Sequence, residues 1–165
     1  MNRVAAGLDK ISNALGQWIG WLIFIMMLTT AVIVVMRYFL NLGSIPLQET
    51  ALYLHGTALM LGMGYTLKSD GHVRVDVLHR RLTPRQKIWV DLVGFGVFLL
   101  PFSVFLLVTS LPYVTFSWSV LEASGAPGGL PGVFLLKTLI PVMAVLLLLQ
   151  GLSESLKALC RLRQR

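Results

Sequence analysis

The chain has 165 residues, 56% of them hydrophobic and 13% charged. Soluble domains carry about 25% charged residues, so this composition excludes a free-standing soluble domain and a disordered chain. A formal charge of +7 would point to nucleic acid in a soluble protein. Here the bases flank apolar runs, which fits membrane orientation and no nucleic-acid partner.

Leu15 to Phe39 is the first candidate span, apolar except for Gln17, Thr29, Thr30 and Arg37. As a helix it reaches roughly 37 Å, enough to cross a ~30 Å hydrocarbon core with some tilt. Its apolar core exceeds the ~7–15 residues of a signal peptide and no small-residue cleavage site follows, so it reads as a retained anchor. Residues 47–67 form the second candidate, the least apolar, with Gln48 and Glu49 at its start. The loop 68–87 follows. Within it Thr83-Pro84-Arg85-Gln86 reads as a helix start: a threonine cap, proline in the first turn and glutamine three residues after the cap.

Ile88 to Leu111 is the third candidate, with Pro101 expected to kink it or free a backbone carbonyl. The loop 112–132 is rich in proline and glycine and carries Trp118 and Glu122 but no base. Val133 to Leu152 is the fourth candidate, with Lys137 in its first turn. The fold class expected is an all-α membrane protein of four transmembrane helices in one small bundle, with residues 1–165 as a single domain.

The bases set the direction. Residues 1–14 hold Arg3 and Lys10; the loop 68–87 holds Lys68, Arg74, Arg80, Arg81, Arg85 and Lys87; the tail holds Lys157, Arg161, Arg163 and Arg165. Residues 40–46 and 112–132 hold none. The positive-inside rule then places both termini and the loop 68–87 in the cytoplasm. Trp18, Trp21, Tyr65 and Trp89 near the inner span ends, and Tyr38, Tyr113 and Trp118 near the outer ones, match the interfacial aromatic belts.

Arg37, Glu49 and Lys137 cluster by register at the outer ends of spans. Two readings stand: a basic rim that steers anions with Glu49 pairing one base, or plain snorkelling to headgroups. The short connection between spans one and two makes an Arg37–Glu49 contact geometrically accessible. His55 is the one histidine inside a span. A haem held between helices calls for a second axial ligand at matching depth, so a packing or hydrogen-bonding role is favoured.

Asp70, His72, Asp76 and His79 match no common metal-ligand spacing and sit among cations, so no metal is expected. Gly16 and Gly20, and Ala58 and Gly62, give small-residue faces for close helix approach. With one cysteine, Cys160, no intrachain disulfide forms. Phosphate-loop, zinc-protease and nucleophile-elbow motifs are all missing. No span carries the acid–base pair or helix break of a stand-alone carrier. No catalytic residue and no cofactor is assigned, and the chain reads as a small partner of something larger.

Several stretches carry a family likeness. Arg37-Tyr38-Phe39 through Glu49, then Tyr53, the glycine-rich second span and Gly71-His72-Val73-Arg74-Val75-Asp76 resemble the small membrane subunit of tripartite ATP-independent periplasmic (TRAP) transporters, the DctQ type. Pro112-Tyr113-Val114, Ser117-Trp118, Glu122, Gly128-Gly129-Leu130-Pro131, Leu136-Lys137 and Gln150-Gly151 are similar to the branch labelled mannitol/chloroaromatic-type. The resemblance implies a bacterial inner-membrane transporter with a periplasmic binding protein, a large polytopic membrane subunit and this small subunit. It implies uptake of organic acids driven by an ion gradient, usually sodium, with the substrate and sodium sites in the large subunit. A carboxylate is then favoured over a sugar alcohol.

On that reading Arg37, Glu49 and Lys137 organise the outer rim. Gly71, His72, Arg74 and Asp76 fix the inner loop, and Trp118 and Glu122 lie near the docked binding protein. The competing readings are the small subunit of a tripartite tricarboxylate transporter and a stand-alone channel or carrier.

Overall fold

The computed structural model describes residues 2–69 and 82–163, and every described element is helical. Helix α1 is Asn2–Phe39, α2 is Ile45–Lys68 and α3 is Pro84–Val93. A π-helical turn, Gly94–Leu99, leads into α4, Leu100–Ser119, and α5 is Val133–Arg163. Among the described residues, three stretches are long and apolar enough to cross a membrane: Asn13–Phe39, Arg85–Ser119 and Val133–Cys160. Helix α2 has the length, at 24 residues, but Gln48, Glu49 and His55 lower its hydropathy.

Local sequence sets the boundaries. Helix α1 ends where Asn41 turns left-handed (φ 53°), a conformation asparagine tolerates, and the Leu42 N–H comes back to the Met36 carbonyl at 3.0 Å. Pro46 supplies a preset φ in the first turn of α2. The start expected at Thr83 forms as a full capping box. The Gln86 N–H donates to Thr83 Oγ1 (3.3 Å), and the Thr83 N–H donates to Gln86 Oε1 (2.8 Å).

Pro101 has no N–H to give, and its ring crowds the preceding turn. The chain meets this with the wider π-helical turn just before it, where the Leu100 N–H bonds the Phe95 carbonyl. The helix then continues past Pro112 to Ser119. Residues 112–119, read from the sequence as the start of the loop, are therefore helix. Packing on α5 explains the difference: Ser103, Ser110, Val114 and Ser117 recur on one buried face of α4, and tertiary burial outweighs a single proline.

Helix α5 is the hub. Helices α1, α2 and α5 pack against one another, and α3, the π turn and α4 all lean on α5. Among the described residues, the buried apolar ones are Ala58, Val114, Met143, Ala144 and Leu147. Small side chains set the spacing. A methyl group added at Gly16 would meet the Tyr65 ring at 2.7 Å, and one at Gly151 would meet the Phe95 ring and Leu99. Of the small-residue faces read from the sequence, Gly16, Ala58 and Gly62 serve packing within the chain, whereas Gly20 faces open space.

Candidate functional site

Among the described residues, the densest polar structure lies where the first turns of α2 meet residues 120–132. Helix α4 stops when Leu121 turns left-handed (φ 44°). The Glu122 N–H then reaches back to the Ser117 carbonyl at 3.0 Å. This aims the Glu122 carboxylate inward. Its Oε2 accepts from Ser117 Oγ (2.7 Å) and from Lys137 Nζ on the first turns of α5. Lys137 also stands over the Tyr113 ring, 4.0 Å from its centre, a cation–π contact. The Lys137 bond and then the Ser117 bond hold the Glu122 carboxyl below its ordinary value of 4.5.

One turn away, Trp118 Nε1 donates to Thr138 Oγ1 (2.9 Å), and its ring meets Phe134 edge-on at 4.7 Å. These contacts staple the end of α4 to α5.

A second carboxylate holds the rest of the loop. The Ser124 N–H donates to the Leu130 carbonyl (3.1 Å) and the Gly129 N–H to the Ala126 carbonyl (3.0 Å), closing a small turned loop. Glu49, one turn into α2, accepts from Ser124 Oγ and from the Leu130 N–H (2.6 Å). Gly129 is required by this approach: a Cβ there would lie 2.6 Å from Ser124 Cβ and 2.8 Å from Glu49 Oε1. Beneath the loop the Tyr53 hydroxyl is buried without a hydrogen-bond partner, and Gly132 lies against its ring. The two carboxylates fasten residues 120–132 onto α2, α4 and α5 as a cap.

The sequence-derived residues fare differently. Glu49, Trp118, Glu122 and Lys137 come together in the cap, although Glu49 and Lys137 serve different halves of it. The Arg37–Glu49 contact does not form: Glu49 spends its oxygens on the loop, and Arg37 is exposed beside a shallow depression with Ser44 and Gln48. Of Arg37 and Lys137, the base paired with a carboxylate is Lys137, and its partner is Glu122. Gly71, His72, Arg74 and Asp76, with Asp70 and His79, lie outside the described residues. Ser117, which the family likeness includes, completes the cap together with Ser124 and Thr138, which no sequence motif marks. Among the described residues no group of three potential metal ligands occurs. The cap's carboxylates are engaged by hydroxyl, backbone and ammonium donors, an arrangement suited to holding a shape.

Residues 25–161 match the family model described as tripartite ATP-independent periplasmic transporters, DctQ component. No curated protein and no solved structure gives a significant match.

Proposed function

The chain belongs to the DctQ component family of tripartite ATP-independent periplasmic transporters, and on that premise we propose that it is the fixed small membrane subunit of such a transporter. The family match across residues 25–161 carries this reading. Membership makes it a transporter component with other membrane and binding-protein partners, and its long apolar helices suit a multi-pass membrane subunit.

Helix α2 is a fourth span beside the three apolar ones, both termini and the loop 68–87 are cytoplasmic, and the cap faces the periplasm. The base distribution supports that direction. The large subunit carries the substrate and the coupling ion, expected to be sodium, and imports a carboxylate without ATP. A moving transport domain needs a stationary counterpart. A chain whose cap is pinned to three helices supplies stiffness where the binding protein arrives. Gly71, His72, Arg74 and Asp76 secure the opposite, cytoplasmic side, and Arg37 faces headgroups or the partner at the cap side.

Co-purification tests the reading. Tagged protein extracted gently from native membranes is expected to bring down one large polytopic membrane protein in stoichiometric amount, identified by mass spectrometry. Recovery of self-oligomers alone, from membranes shown to contain that partner, would overturn it. Arg74→Ala and Asp76→Ala are expected to lower the yield of the complex, and unchanged yield and uptake would remove the inner-loop assignment.

A further inference from the structure

Most of the exposed helix surface suits hydrocarbon. The exposed side chains along α1 and α4 are chiefly Phe, Leu, Ile and Val. The threonines there return their hydroxyls to their own helix: Thr29 to the Ile25 carbonyl and Thr30 to the Met26 carbonyl, both at 2.9 Å, and Thr109 to the Phe105 carbonyl at 2.7 Å. Lipid can therefore solvate those faces.

Helix α2 is different. Gln48, Leu52, His55, Leu59 and Met63 are all exposed and form a single narrow stripe, recurring at intervals of three and four residues. That is the spacing of a helix–helix seam. Helices α1 and α5 occupy the other sides of α2. His55 lies about 15 Å along the helix from its first residue, near the middle of a ~30 Å hydrocarbon core. No described residue hydrogen-bonds it. A neutral imidazole presents one donor and one acceptor, and lipid tails satisfy neither. The composition agrees: α2 is the one long helix among the described residues that falls short of a span's apolarity. It is a helix that needs protein on every side.

We infer that this stripe is the seat of a transmembrane helix of the large membrane component, with a polar group of that helix hydrogen-bonded to His55 and with Leu52 and Leu59 as the apolar contacts on either side. The inference rests on the subunit reading above and adds the face through which the subunit docks. A polar group at mid-depth selects a protein over lipid, and the tripartite family supplies a second membrane component as that protein.

The test places the photo-crosslinker benzoyl-phenylalanine singly at Leu52, Leu59, Phe98 or Phe105 in the full chain, co-expressed with the large component and irradiated in native membranes. Leu52 and Leu59 are expected to give a one-to-one adduct with the large component. Phe98 in the π turn and Phe105 on α4, both exposed, are expected to give none. His55→Leu is expected to lower the amount of large component co-purified roughly three- to tenfold, the worth of one interhelical hydrogen bond, and His55→Gln to restore part of it.

Adducts with the large component from Phe98 and Phe105 alone overturn the inference and leave the subunit reading standing. Adducts from Leu52 and Leu59 to lipid or to a second copy of this chain do the same. If the unmodified chain fails to co-purify with the large component at all, the subunit reading itself falls and takes the inference with it.

Discussion

Replacing Gly151 with valine probes how α5 holds the α3–α4 arm. A Cβ at this buried position would stand 2.6 Å from Cδ2 of the Phe95 ring and 2.8 Å from a methyl of Leu99. Carbon atoms in packed interiors settle about 3.5–4.0 Å apart, so the ring has to retreat by about 1 Å before the two valine methyls are placed. Phe95 sits in the π turn, so the displacement passes into the backbone that leads to Pro101. Overpacking of this kind costs about 1–3 kcal/mol. Valine recovers only a few tenths of a kcal/mol, roughly, in helix propensity over glycine. The expected result is a melting midpoint lower by roughly 2–12 °C, using the size scaling of a 150–250-residue domain, followed by circular dichroism in detergent. Phe95→Ala in the same chain removes the ring and is expected to return part of the loss, giving a coupling of about 0.5–3 kcal/mol in a double-mutant cycle. A valine variant that melts with the parent, or a double variant with no relief, would refute the Phe95–Gly151 contact.

Glu122 is held below its ordinary value because its ionised form takes the Lys137 and Ser117 bonds. The cap is therefore whole at neutral pH and loses this contribution as pH falls through the lowered value; a carboxyl titration with a midpoint at or above 4.5 would contradict it. Glu49→Ala leaves the Leu130 N–H without its acceptor, so hydrogen exchange at Leu130 is expected to quicken while α5 amides are unchanged. Trp118→Phe keeps the ring contact with Phe134 but removes the bond to Thr138, and should cost about 0.5–1.5 kcal/mol, read as a lower melting midpoint. Glu122→Lys sets two ammonium groups together beside Tyr113 and is expected to weaken uptake that depends on the binding protein. Unaltered uptake would separate the cap from docking.

The sequence carried the helices further than their meeting points. Apolar runs placed α1, α4 and α5, and Thr83 with Gln86 marked the start of α3, because these signals are local. Pro112 misled: proline argues for a loop, but Val114 and Ser117 gain enough by packing on α5 to keep the helix intact to Ser119. The cap was legible only as a list of charged residues. Glu49 meets Ser124 and Leu130 across 75 and 81 residues of chain, and no spacing rule encodes such a pairing. Arg37 lay close to Glu49 in sequence and was the natural partner on charge alone. A carboxylate offered a hydroxyl and a backbone N–H by a folded loop takes those instead. The exposure of His55 was equally invisible, since the face of α2 that it occupies depends on where α1 and α5 pack.

The central claim is that this chain is an indispensable component of a three-part importer, and reconstituted transport tests it most directly. Proteoliposomes carrying the large membrane component, with or without this chain, would be given the soluble binding protein and a panel of radiolabelled 2-oxo and hydroxy acids under an inward sodium gradient. Accumulation of one such acid only when all three proteins are present is the predicted result. Full uptake by the large component without this chain, or uptake by this chain alone, would contradict the account.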